Sequence, residues 1–182
     1  MRRMLLTLVL SAAFLGCQGK DSKPPPTATQ VSASDVSVYF SPNGGCTEAV
    51  VAAIDGAKLT IGVQAYSFTS APIAKALVNA HKRGVRVVVI LDKSQETEKY
   101  SSADFLAHAG IPVWIDSQHK IAHNKVMIID SETVITGSFN FTKAAETENA
   151  ENLLVIRSPD LAAQYRANMD MHLGHSELYA GK

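Results

Sequence analysis

His123 and Lys125 stand two residues apart in the run His123-Asn124-Lys125-Val126-Met127-Ile128-Ile129-Asp130, and Gly137-Ser138-Phe139-Asn140 follows shortly after. Apolar and β-branched residues after a polar entry mark a strand. Side chains on a strand alternate faces, so the imidazole and the ammonium emerge together. Asp130 has the opposite parity, and on an unbroken strand it points away from the histidine, as a structural anchor would. Ser138 and Asn140 share a parity of their own. An imidazole, an ammonium, a hydroxyl and a carboxamide at neighbouring strand ends suit a phosphate diester. Lysine and asparagine would hold the non-bridging oxygens and stabilise charge in the transition state, while the imidazole could attack phosphorus. The bland alternative is a hairpin whose histidine and lysine are merely solvated. Four polar types in register with a Gly-Ser turn, followed by Glu151-Asn152 at the mouth of another strand, weigh against it.

The elements that must position these groups alternate between strand and helix. Residues 36–40 read as a short strand. Residues 47–57 carry Val50, Val51 and Ile54 at helical spacing. A strand at 59–66 precedes a helix at 71–83, whose Ile73, Leu77 and Val78 face inward. That helix closes on Lys82 and Arg83 before Gly84, the usual chemistry of a helix end, which is favoured here over a DNA-contact role. Residues 85–91 form an apolar run suited to a strand covered on both faces. Ser101-Ser102-Ala103-Asp104 opens a helix, and residues 111–115 form a strand carrying the single tryptophan, Trp114. The pair 123–130 and 133–136 reads as a hairpin, and 153–156 as a further strand with Glu151 at its entrance. Ser158-Pro159-Asp160 starts a final helix that turns Leu161, Tyr165 and Met169 inward. The pattern predicts an α/β fold, a mixed sheet with helices on both faces.

The spacing His-x-Lys-x4-Asp-x6-Gly-Ser, completed as Gly-Ser-x-Asn, resembles the phospholipase D superfamily. The run Gly137-Ser138-Phe139-Asn140-Phe141-Thr142-Lys143-Ala144-Ala145-Glu146, with Asn149-Ala150-Glu151-Asn152, resembles in particular its small bacterial endonucleases, which carry one such motif per chain. The resemblance covers residues 37–180 or so and implies the same mixed-sheet architecture. No second copy of the motif occurs in the chain.

One motif poses a counting problem. If His123 attacks phosphorus, another acid must protonate the departing oxygen, and a second imidazole suits that role. His81 and His108 fall in helices, and His172 and His175 lie near the C-terminus. His119, in a loop four residues upstream, is the nearby competitor. A two-fold dimer resolves the shortage, because the same patch meets itself across the axis. The resemblance implies this arrangement. His123 is then nucleophile in one chain and acid in the other, Lys125 and Asn140 bind phosphate, Ser138 supports them, and Glu151 orients and polarises the histidine. Asp130 matches the motif but is assigned to structure. Water hydrolyses the phosphohistidine, with no metal and no cofactor required.

The 182 residues suggest one domain, and 46% of them are hydrophobic, as in an ordinary globular protein. The 17 basic and 17 acidic residues balance, so no global field draws nucleic acid in, and binding must use a local basic surface. Residues 1–17 resemble a secretory signal, with Arg2 and Arg3 before an apolar run too short to span a bilayer. Two cleavage readings stay open: a lipoprotein box ending at Cys17, which would carry the lipid, or a small-x-small site at Ser11-Ala12-Ala13. Residues 18–35, rich in Lys, Ser, Thr and Pro, read as a flexible linker, and 36–182 as the catalytic domain. Cys46 is assigned to burial at a helix start, since two cysteines make no disulfide framework. The expectation is an exported enzyme, periplasmic or secreted and either free or lipid-anchored. It would cut DNA, with RNA an open alternative. Its rivals are a phospholipase acting on membrane lipids, against which the short chain counts, and a non-catalytic envelope protein that binds nucleic acid or lipid.

Overall fold

The computed structural model describes residues 29–182; the candidate signal, Cys17 and most of the linker lie outside the described residues. One eight-stranded sheet organises the domain, in the order β1-β7-β6-β5-β2-β3-β4-β8. The strands are β1 (Val36–Ser41), β2 (Thr60–Ala65), β3 (Arg86–Asp92), β4 (Val113–Asp116), β5 (Lys125–Ile129), β6 (Thr133–Gly137), β7 (Glu151–Arg157) and β8 (Glu177–Leu178). β2, β3 and β4 run parallel, and every other pairing is antiparallel, so the sheet is mixed. The β5–β6 hairpin is present, with Met127 opposite Ile135.

Helices α1 (Cys46–Gly56), α2 (Ala71–Lys82) and α3 (Ala103–His108) cover one face, and α5 (Pro159–Leu173) covers the other. The burial of alternate residues follows from this. Met127 and Ile129 join the core under α1 and α2, while Val126 and Ile128 join Ala162 and Met169 of α5. Ser158 caps α5 through Oγ, which accepts from Leu161 N at 3.2 Å. Arg83 ends α2, and its guanidinium donates to the carbonyls of Ile54 and Asp55 at 3.0 and 3.2 Å, tying the end of α1 to that of α2. Cys46 is fully buried in the first turn of α1. Glycine precedes that helix, and its first amides are instead capped by Glu146, whose carboxylate accepts from Gly45 N and Thr47 N. Glu146 belongs to α4 (Lys143–Thr147), a helix too short to register as periodicity.

Candidate active site

The sequence predicts a strand from 123 to 130, but β5 spans only Lys125–Ile129. His123 and Asn124 precede it, in a loop that its neighbours pin. Asp92, buried at the end of β3, accepts from Ala122 N at 2.7 Å, and Tyr66 N donates to Asn124 O at 2.8 Å. These anchors flank His123 on both sides, so its backbone is held while its side chain stays exposed. Lys93 Nζ adds a bond to His119 O at 3.0 Å. Asp92 and Tyr66 are positioning residues that the motif does not announce. A carboxylate at a strand end carries no periodic signal of its own.

His123 and Lys125 share the Tyr66 ring as a neighbour. Lys125 Nζ donates to the His123 carbonyl at 3.0 Å, the Tyr66 ring lies 4.6 Å from the His123 ring, and Lys125 Nζ sits 5.2 Å from the Tyr66 ring centre. Lys125 is only 9% exposed, and among the described residues no carboxylate forms an ion pair with it. Burial pulls its pKa below the ordinary lysine value, and the charge of Glu151 partly offsets that. The tip of Lys125 is therefore a desolvated cation with spare N–H donors, suited to an anionic oxygen.

Ser138 and Asn140 reach this region along a segment that the core locks. Phe139 and Phe141 are buried, which turns Ser138 and Asn140 to the other side. Thr69 N and Ser70 N both donate to Phe141 O, at 3.0 and 2.9 Å. Gly137 has φ +148°, and a Cβ there would collide with the Asn152 carbonyl oxygen, so the close approach expected of this glycine is that of backbone. Ser138 Oγ accepts from Asn152 N at 3.0 Å and from Asn152 Nδ2 at 3.3 Å. The hydroxyl is thereby oriented by Asn152, a role not legible in the sequence. Asn140 Oδ1 is sealed from solvent with no hydrogen-bond partner among the described residues.

Two motif members sit apart from the imidazole. Glu151 opens β7, accepts through Oε1 from Asn149 Nδ2 at 3.1 Å, and makes no hydrogen bond to His123 within the chain. Its effect on Lys125 shows that it still contributes charge nearby. Asp130 lies beyond the strand in a left-handed turn, φ +51°. Its carboxylate accepts from the backbone amides of Lys58, Leu59 and Thr60 at 2.8, 2.7 and 2.9 Å. Burial alone would raise its pKa, but these three bonds outweigh it and hold the carboxyl below its usual value. Within the chain it ties the hairpin turn to the start of β2 and touches no reacting group. His119 lies elsewhere again, against Asp116, His172 and His175.

The family model for "Cardiolipin synthase, PLD-like domain" matches residues 50–173, which span every motif position from His123 to Glu151. The chain belongs to the phospholipase D-like family. A protein of Rickettsia conorii named phospholipase D is 47% identical over 140 residues, 77% of this chain and 70% of that one. A mitochondrial cardiolipin hydrolase of Chlamydomonas reinhardtii is 33% identical over 64% of this chain and 52% of its own length. Among solved structures, Nuc of Salmonella typhimurium, a phospholipase D family member, matches with TM-score 0.77 and 45% identity over 79% of this chain and 97% of that one. The phospholipase D-like fold is thus shown, as is the chemistry of the class: the chain is a phosphodiesterase. Length does not separate the substrates, because the rickettsial relative bearing a lipase name is itself a short chain. That removes the size argument raised against lipid.

Proposed function

We propose that the protein is an endonuclease that hydrolyses DNA phosphodiesters, with RNA as a further substrate, through a phosphohistidine formed in a homodimeric site. The observation that carries this reading is the exposed His123 and the buried ammonium of Lys125, both against the Tyr66 ring, with no carboxylate paired to that ammonium among the described residues. That pair offers a nucleophile and a fixed positive charge for one phosphate. The likeness to Nuc over nearly the whole of that chain supports nucleic acid as the polymer.

In this scheme an imidazole nitrogen of His123 attacks phosphorus and the bond to the leaving oxygen breaks. The same histidine of a second copy, protonated, supplies the proton to that oxygen. Deprotonated, it then takes a proton from water, which attacks phosphorus and frees the first histidine. Lys125 holds a non-bridging oxygen throughout. In this scheme Asn140 turns its carboxamide out of its sealed position to give the phosphate a second donor. Glu151, unattached to its own His123, is free to serve the ring of the second copy. We further propose that the enzyme is exported, with lipid at Cys17 as its means of attachment if the lipoprotein cleavage is used. No described helix is long and apolar enough to cross a membrane.

A lipid substrate is the second reading, favoured by relatives named phospholipase D and cardiolipin hydrolase. Parallel assays on plasmid DNA, single-stranded DNA, RNA, and vesicles of phosphatidylcholine or cardiolipin, all in chelator, distinguish the two. Nicked and linearised plasmid with intact vesicles is the expected outcome. Headgroup release or cardiolipin cleavage with untouched nucleic acid would overturn the nuclease reading.

A further inference from the structure

On the α5 side of the C-terminal end of β4, three histidines converge on one buried carboxylate. Asp116 is fully buried as the last residue of β4. His119 comes from the following loop, His172 from the last turn of α5, and His175 from the turn after it. His119 Nδ1, His172 Nδ1 and His175 Nε2 lie 2.9, 2.8 and 3.3 Å from the same oxygen, Asp116 Oδ2. The rings of His119 and His172 stack with centroids 4.8 Å apart.

Hydrogen bonding alone explains this arrangement poorly. A carboxylate oxygen has two lone pairs, and three imidazole nitrogens crowd onto this one, with His119 Nδ1 also 3.1 Å from Asp116 Oδ1. Among the described residues the three histidines are the only ion-pair partners of Asp116. A cation that replaces the three N–H protons would use every nitrogen and the oxygen at once. The four donor atoms all lie within 4.8 Å of one another, whereas tetrahedral zinc with bonds of about 2.0–2.2 Å needs donors roughly 3.3–3.5 Å apart. Binding an ion draws the nitrogens together and moves the carboxylate oxygen back from His119 and His172, which now lie 2.9 and 2.8 Å from it. Imidazole donors select zinc and its neighbours over magnesium or calcium, which take oxygen. Supporting bonds are in place too: Asp116 Oδ1 accepts from Gln118 N at 3.2 Å, and Ser176 Oγ donates to His172 O at 2.7 Å.

We propose that Asp116, His119, His172 and His175 form a structural site for Zn²⁺. Four protein ligands leave no open position for a reacting water, so the ion clamps rather than catalyses. It joins the C-terminal end of α5 to the loop that leads, four residues after His119, to His123. The proposal is independent of which phosphodiester the enzyme cleaves.

The test uses the untagged full chain, stripped with chelator and titrated with Co²⁺ and then Zn²⁺. Saturation at one Co²⁺ per chain is expected, with the visible absorption of a tetrahedral nitrogen and oxygen site that Zn²⁺ abolishes. At a hundredfold excess of Zn²⁺ over Kd, the melting temperature should rise by about 5–10 °C. His172→Gln and His175→Gln should each weaken binding by tenfold or more and remove most of that rise. His123→Gln should bind as the unaltered chain does. Near-ultraviolet circular dichroism of Trp114, two residues before Asp116, verifies that the variants fold. Absence of saturable binding, or equal binding by the folded histidine variants, overturns the site.

Discussion

His119 and His123 stand on one loop, and their environments are opposite. At residue 123 the side chain is exposed, and its carbonyl accepts from a buried ammonium that has no carboxylate partner among the described residues. Four residues earlier, His119 turns toward a fully buried carboxylate and packs with two more imidazoles. The first group leaves charge and donors unspent, as a site that must take up an anion requires. The second turns its donor atoms inward onto one carboxylate oxygen, as a clamp requires. Residue type alone does not distinguish them: direction and the sign of the buried partner do.

The contrast holds only if chemistry and stability come apart under mutation. His123→Ala should have the largest effect, a fall in turnover of roughly 10³-fold or more. Its unfolding midpoint and the mass by light scattering should be unchanged; surviving turnover would break the comparison on the open side. Lys125→Met should cost about 10²- to 10³-fold in turnover while leaving the melting temperature equal or higher. The reason lies in linkage. The folded-state pKa of Lys125 is depressed, so the unfolded chain binds more protons as pH approaches 10.5, and stability rises with pH there. Removing the charge removes that penalty, and activity in the unaltered enzyme should fall as pH climbs through the depressed value.

Asp130→Ala tests the stability side. It orphans three backbone amides and should cost about 2 kcal/mol in urea unfolding, after allowance for solvent screening, with kcat nearly intact. Because the folded pKa of Asp130 is lowered, its contribution is complete above the unfolded value near 3.9 and is lost as pH falls through the folded one. An inactive but stable Asp130→Ala would move this residue into the chemistry. Asn152→Ala should have the smallest effect, a several-fold drop in kcat from a freed Ser138 hydroxyl, with KM little changed. Steady-state kinetics on the plasmid substrate would show the split.

Most strands and helices were legible because burial imposes a period on residue type. The continuous apolar run of residues 126–129, covered on both faces of the sheet, and the helical spacing of Ile73 and Leu77 are imprints of burial. The motif was legible for the same reason, since Phe139 and Phe141 must enter the core for Ser138 and Asn140 to leave it. Where no period can form, the reading stopped short. The five-residue α4 and the two-residue β8 carry none. The predicted strand overran at both ends because β2 pairs with β5 only from Lys125 to Ile129. Asp116-x-x-His119 and His172-x-x-His175 were visible as two short patterns, but nothing local says that they meet.

By itself, then, the sequence determined the order of elements, the face each residue takes, and the pairing of His123 with Lys125, all of which follow from contacts short in sequence. Only the tertiary structure decided that Asp116 and His172, 56 residues apart, share a hydrogen bond. It also decided that Asp130 grips the start of β2 and that Glu151 accepts from Asn149 and not from its own histidine. Each of these depends on how α5, β7 and the hairpin dock onto a sheet whose neighbours are distant in the chain, and no periodicity encodes that docking.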